Sequence, residues 1–218
     1  MLPTLKRHVR SSNLSGSENL TGWPSYAAMP TPPLAPGTRY HVYNRGVNRE
    51  VLFRSAVHYR RFLALLGHHV APCARVYAFA LLSNHFHFIL EPHADGPRSC
   101  SQALSNAFNA YAKGYNLVTG RVGALFCRPF QRKVITNEAY AAAATRYVLL
   151  NAVKHGLVTD TADWPWSSWE AMHSERPTLL ARDDVRGWLG AHDGGDWEGF
   201  DESLQPKPDR LLPPLTSG

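Results

Sequence analysis

The sequence predicts an α+β domain built as a ferredoxin-like antiparallel sheet with packed helices. Three observations lead there. Between residues 38 and 156 the apolar period alternates between two and about 3.6, in the order β–α–β–β–α–β–α. Two strand-like runs, ARVYAFALL and HFHFILEP, are separated only by Ser83 and Asn84, the spacing of a tight antiparallel hairpin. The other strands are parted by helices, and a split βαβ sheet is the simplest topology for that order.

Residues 38–46, TRYHVYNRG, alternate with period two and end in Asn-Arg-Gly, a strand and a turn. Residues 56–70 carry Val57, Phe62, Leu65, Leu66 and Val70 at helical spacing, with basic residues between them. The hairpin strands follow at 74–82 and 85–92. Residues 99–120 form a second helix, capped by Ser99 or Ser101 and stopped near Gly120. ALFCRPFQRKVI, residues 124–135, reads as a strand with Pro129 at a bulge or edge. Residues 136–156 are the clearest helix, with a Thr136 or Asn137 cap, an alanine run and a Lys-His-Gly stop.

The flanks differ in composition. Residues 1–37 are rich in Ser, Asn, Gly and Pro and include MPTPPLAPG, so they read as a mostly disordered segment. Met29 is an alternative start to Met1. Residues 176–218 form an acidic, Gly/Pro-rich appendage with a short helical run near 183–189. The domain proper is placed at residues 38–175.

A chain of 218 residues with 44% hydrophobic content supports one packed domain plus tails. No apolar run approaches the ~20 residues of a bilayer span, and LPTLKRHVRSS lacks the apolar core of a secretory signal. Cys73, Cys100 and Cys127 are odd in number and widely spaced, which argues against a disulfide framework or a zinc–cysteine site and suits a reducing cytoplasm. The net charge is +6, but residues 38–175 carry +7 and residues 176–218 carry −3. The basic centre suits a polyanionic partner.

His85 and His87 sit at i and i+2 on a strand, so their imidazoles share a face about 6–7 Å apart along the backbone. That arrangement suits two ligands on one cation; the plain alternative is a pair of polar residues on a solvated face. Phe86, Phe88 and Leu90 point to the opposite face, into a core. On the late helix Tyr147 and Asn151 are i and i+4 and share a face. An Asn oxygen is a fair third ligand for a hard cation, and a phenol beside it can attack phosphorus. Tyr140, Tyr147, Leu150 and Val153 equally suit a buried stripe, and Tyr111, Tyr115 and Tyr140 are rival nucleophiles that spacing leaves open.

The ordered set YHVYNRGVNREVLFR, SNHFHFIL, ALFCRPFQRKVI, RYVLLNAVKHGLV and DWPWSS resembles the single-tyrosine HUH transposases, in the REP-associated tyrosine transposase branch, over about residues 38–170. The resemblance implies a ferredoxin-like sheet and a divalent cation, Mg²⁺ or Mn²⁺, held by His85, His87 and Asn151. It implies Tyr147 as nucleophile, which is what favours it over the other tyrosines. It also implies cleavage and rejoining of single-stranded hairpin DNA through a 5′-phosphotyrosine link. Ser83 and Ala152 stand where the family usually has proline, and neither change removes a chemical group. Asn44, Arg45, Asn48, Arg49, Arg128, Arg132 and Lys133, interleaved with Tyr43, Phe126 and Phe130, form the expected nucleic-acid surface. Arg128 and Arg132 share a face if Pro129 does not bulge the strand. A monomer acting in the cytoplasm is the expectation, with a dimer as the other state, and a hairpin-binding protein that no longer cuts is the functional alternative.

Overall fold

The computed structural model describes residues 33–191. The Pro/Ser-rich segment before residue 33 and the tail after residue 191 lie outside the described residues. Four strands, β1 (Arg39–Arg45), β2 (Ala74–Leu81), β3 (His85–Pro92) and β4 (Gln131–Ile135), form one sheet in the order β2-β3-β1-β4. Every neighbouring pair is antiparallel. With α1 (Ala56–His69) between β1 and β2, and α2 (Cys100–Thr119) between β3 and β4, this is the ferredoxin-like arrangement.

Period-two alternation gives the sheet two different faces. On one, Tyr40, Val42, Phe86, Phe88 and Leu90 meet α1 and α2 through Phe62, Leu66, Leu104, Ala107 and Phe108. Phe62 lies at the centre of this core, with the rings of Phe53, Phe86 and Tyr111 at 4.9–5.2 Å or slightly beyond. Val57, placed on the apolar stripe by its spacing, is 65% exposed: it sits in the first turn of α1, ahead of the buried positions Tyr59 and Phe62.

Local chemistry sets the helix ends. The Ser99 hydroxyl accepts from the Gln102 amide at the start of α2, and Gly120 at φ +68° ends it in the left-handed region that favours glycine. Gly46, which closes the first strand, is required by space: a Cβ there would run into the Glu50 carbonyl.

The opposite face is covered by α3 (Glu138–Leu149), opened by the Asn137 side chain accepting from the Tyr140 amide at 2.8 Å. The sequence reads residues 136–156 as one helix. In the structure Leu150, at φ −83° and ψ 1°, separates α3 from a short α4 (Asn151–Lys154). The fourth strand is shorter than the run 124–135. Pro129, in a cis peptide, offers no amide to a ladder, and residues 124–130 run as irregular chain joined to the first turn by a Gly46–Phe126 bridge.

The domain also extends beyond residue 175. After α5 (Trp169–His173), α6 (Arg182–Ala191) buries Val185 and Trp188 against Tyr77 and α3. Residues 166–181 close the outer edge of β2: amides of Leu81, Ser168 and Ala181 pair with Trp166, Phe79 and Val76 carbonyls at 2.8–2.9 Å. The tryptophan-rich DWPWSS run thus serves a structural purpose, with Trp164 donating to the Leu81 carbonyl at 2.9 Å. Among the described residues no helix is long and apolar enough to cross a membrane.

Candidate active site

His85 and His87 project from β3 toward α3, and His41 projects to the same side from β1. All three are buried, His41 and His87 completely. A buried imidazole needs partners for its nitrogens. His85 Nδ1 lies 2.6 Å from Asn84 Oδ1, which can only accept, so Nδ1 carries the proton. His87 Nδ1 lies 2.9 Å from His41 Nε2. The Nε2 atoms of His85 and His87 are then left over, and both are buried without a hydrogen-bond partner. Asn151 completes the set. It is fully buried at the start of α4, both ends of its amide lack a partner, and it lies close enough to His85 to favour the charged ring.

Four orphaned polar atoms in one buried place cost about 1–3 kcal/mol each when nothing satisfies them. Three of the four, the two imidazole nitrogens and the amide oxygen, can offer lone pairs to a ligand, whereas Asn151 Nδ2 can only donate. Two imidazole nitrogens and an amide oxygen suit a divalent cation of intermediate hardness, better Mn²⁺ than Mg²⁺. Electrostatics keep those lone pairs available. Burial, helped by His155 and Arg45 and opposed by Asn151, pulls His85 down to about 3. Burial, then His41, His85 and His155, holds His87 well below the ordinary range. Burial and then Lys133 bring His41 to about 3. The rings are neutral at pH 7. Among the described residues no group of three or more His, Cys, Asp or Glu side chains could hold a metal ion, so a cation bound here would draw on the Asn151 amide beside the two imidazoles.

The tyrosines separate by face. Tyr147 is 4% exposed, with its ring edge-on to His87 at 5.6 Å and 6.2 Å from His41. Lys154 Nζ stands 4.7 Å from the centre of the same ring. Tyr111 and Tyr115 lie on α2, across the sheet, and their hydroxyls donate to the Leu52 and Val51 carbonyls at 2.5 Å each. Burial raises both phenols further. Tyr140, in the first turn of α3, sits beside Lys133 rather than among the histidines. The structure thus brings together His85, His87, Asn151 and Tyr147.

Sequence reasoning missed His41, which contacts both His87 and Tyr147. Tyr43, expected on the nucleic-acid surface, stacks on His87 at 5.9 Å, and half-buried His155 lies 4.7 Å from His85. The signal available for the first two was the period-two phase of His41 and Tyr43, which puts them on one face of β1.

No protein-family model matches the sequence, and no curated protein matches it either. Among solved structures, a REP-associated tyrosine transposase bound to a REP hairpin superposes with a TM-score of 0.57 at 19% identity, over 84% of this chain and 98% of that one. The chain shares the fold of that transposase.

On this transposase-like fold the seven expected nucleic-acid residues do not make one stripe. Asn44 is buried and spent inside the protein: its amide donates to the Cys127 carbonyl at 3.1 Å, and its oxygen accepts from the Arg45 amide. Arg45 ends β1 opposite His85, on the histidine side. Asn48 and Arg49 are exposed in a 3₁₀ turn (Val47–Arg49), both at positive φ. Arg128 precedes β4, so it shares no strand face with Arg132, and it reaches Asn109 on α2 at 3.4 Å. Arg132 and Lys133, adjacent in β4, point to opposite faces: Arg132 toward Ser101 and the Phe130 ring, Lys133 toward Tyr140 and His41. Arg45, Lys133 and Lys154 are the basic groups that border the histidine site.

Proposed function

We propose that the protein is a divalent-metal-dependent DNA nuclease and strand transferase that cleaves and rejoins single-stranded hairpin DNA of the REP type. One observation carries this reading: three buried donor groups without partners, His85 Nε2, His87 Nε2 and the Asn151 amide, lie beside the buried Tyr147 ring. His85, His87 and Asn151 would hold Mg²⁺ or Mn²⁺. When bound, the cation supplies Lewis-acid polarisation of a phosphodiester and stabilises charge in the transition state.

Tyr147 acts as the nucleophile. Its phenolic oxygen forms a bond to phosphorus, the bond to the 3′-oxygen breaks, and the phenolic proton is lost as the leaving oxygen gains one. The products are a 5′-phosphotyrosine and a free 3′-hydroxyl. Attack by a 3′-hydroxyl reverses the exchange, so rejoining needs no external energy source. Lys154, over the tyrosine ring, suits a phosphate of the strand being cut. Lys133 and Arg45 border the site and suit a phosphate backbone, and Tyr43 offers a ring face for a base. In this reading the protein works in the cytoplasm, at DNA, as a monomer or a dimer.

The test is incubation of the protein with Mn²⁺ or Mg²⁺ and a labelled library of single-stranded hairpins, read on a denaturing gel. A covalent adduct is expected that disappears in EDTA and in Tyr147→Phe, and survives in Tyr111→Phe and Tyr140→Phe. A native-gel shift with no adduct in either metal would make the protein a hairpin binder that does not cut. An adduct surviving in Tyr147→Phe would move the nucleophile elsewhere.

A further inference from the structure

We propose that His41 is a positioning residue that fixes the tautomer and aim of His87, so that His87 presents Nε2 to a cation; this rests on the metal reading above. The argument starts from the number of protons. A neutral imidazole has one N–H. In the His41–His87 bond one nitrogen donates and the other accepts. If His41 donates, the proton of His87 sits on Nε2 inside the site; if His87 donates, the proton of His41 sits on Nδ1, so each arrangement buries one further N–H and the difference lies in what His87 Nε2 offers. If His87 donates from Nδ1, its Nε2 carries a lone pair aimed into the site. Only the second arrangement gives the atom a use.

Geometry holds the pair in contact. Both side chains are completely buried, the nitrogens are 2.9 Å apart, and the rings lie near-parallel with centroids at 5.1 Å. β1 is an inner strand, and His41 is held in register with Ile89 on one side and Lys133 on the other. The imidazole of His41 therefore has little freedom to leave. Asn84, in the turn before β3, does the same for His85 through its side-chain oxygen. The two candidate ligands are aimed by two different partners, one from a turn and one from a neighbouring strand. Such outer partners fix ring orientation and typically carry 10–100-fold of metal affinity.

The chemistry of the partner has a consequence. Metal-bound histidines are often backed by a carboxylate, whereas His41 and Asn84 are neutral acceptors. Among the described residues no carboxylate contributes to the electrostatics of His41, His85 or His87. The cation's whole charge is left for an anionic ligand, as a phosphodiester requires.

The experiment measures Mn²⁺ affinity by electron paramagnetic resonance on the full chain, beside ¹H–¹⁵N correlation of the histidine rings without metal. Wild type is expected to bind Mn²⁺ and to show His87 as the Nδ1–H tautomer. His41→Phe keeps the ring volume but offers no acceptor. It should weaken Mn²⁺ binding about 10–100-fold and lose the Nδ1–H signature. His41→Gln restores an acceptor and should recover most of both. Wild type binding Mn²⁺ while His41→Phe binds it equally would overturn the role of His41 and leave the metal site standing. An Nε2–H tautomer for His87 in wild type would overturn it without reference to metal. Failure of wild type to bind Mn²⁺ would instead sink the metal reading, and the positioning role with it. A His41→Phe chain that does not fold leaves the decision to His41→Gln and the wild-type tautomer.

Discussion

Acidification without metal should unfold this protein early, because buried neutral histidines resist protonation in the folded state. His41 and His85 are each pulled down to about 3, first by burial, against roughly 6.5 in an unfolded chain. As pH falls below that upper value the unfolded chain takes up protons and the folded chain does not, so stability drops across the window from about 6.5 to about 3. Between pH 7 and pH 5 each ring costs about 2 kcal/mol, and the two together about 4. His87 shifts in the same direction and adds to the loss. The Glu50 carboxyl, held below its usual range first by its hydrogen bond from Arg54, adds a loss of the same sign only at the acid end, once the unfolded carboxyl takes up its proton. With a urea dependence of about 2 kcal/mol per molar, the unfolding midpoint should fall by roughly 2 M. The assay is urea unfolding in EDTA at both pH values, by circular dichroism, with His41→Gln as a partner variant whose pH dependence is smaller. A midpoint unchanged between pH 7 and pH 5 would refute the reasoning, since the rings would then be open to protons while folded.

Two further outcomes follow from the same geometry. On the proposed metal site, Mn²⁺ affinity should change less than about threefold between pH 7 and pH 5.5, because the ligand rings are already neutral; two ordinary histidines would lose roughly 70-fold. Calorimetric titration at the two pH values checks this. Phe62→Ala should cost about 3–5 kcal/mol, read as a lowered urea midpoint, because the ring is completely buried among Phe53, Phe86 and Tyr111. The folded fraction should bind Mn²⁺ as before, since Phe62 lies across the sheet from the histidines.

What the sequence reveals follows the range of the interaction. The phase of His85 and His87 against Phe86 and Phe88 is local, and the structure keeps it residue for residue. The ends of α2 were legible for the same reason, since Ser99 and Gly120 act within one turn of their own chain. His41 was not legible as part of the site. Its meeting with His87 depends on β1 pairing with β3 across 46 residues, and no local pattern encodes that register. The choice among tyrosines behaves likewise. Spacing left four open, the family resemblance favoured Tyr147, and the structure adds that Tyr111 and Tyr115 belong to the other face. The helical run near 183–189 was legible, but the acidic, Gly/Pro-rich character of 176–218 hid that Val185 and Trp188 pack it onto the domain.

The two faces of the sheet divide stability from chemistry. Strands fix side-chain direction to within a pleat, so the residues that alternate with His85 and His87 are obliged to be elsewhere, and here they are core phenylalanines against α1 and α2. The same backbone that packs Phe86 and Phe88 therefore holds the imidazoles steady, and the aromatic core acts as the rigid support of the site. The other side pairs this support with a less continuous element. Tyr147 belongs to α3 and Asn151 to α4, and Leu150 between them leaves the regular helical conformation. The donors on β3 are thus set by the sheet, while the phenol and the amide are set by packing of α3 and α4 against it, through Ala141, Ala144 and Val148. In the proposed reaction, a nucleophile that must form and later release a bond to DNA is better carried on such a helix than on the strand that would hold the cation.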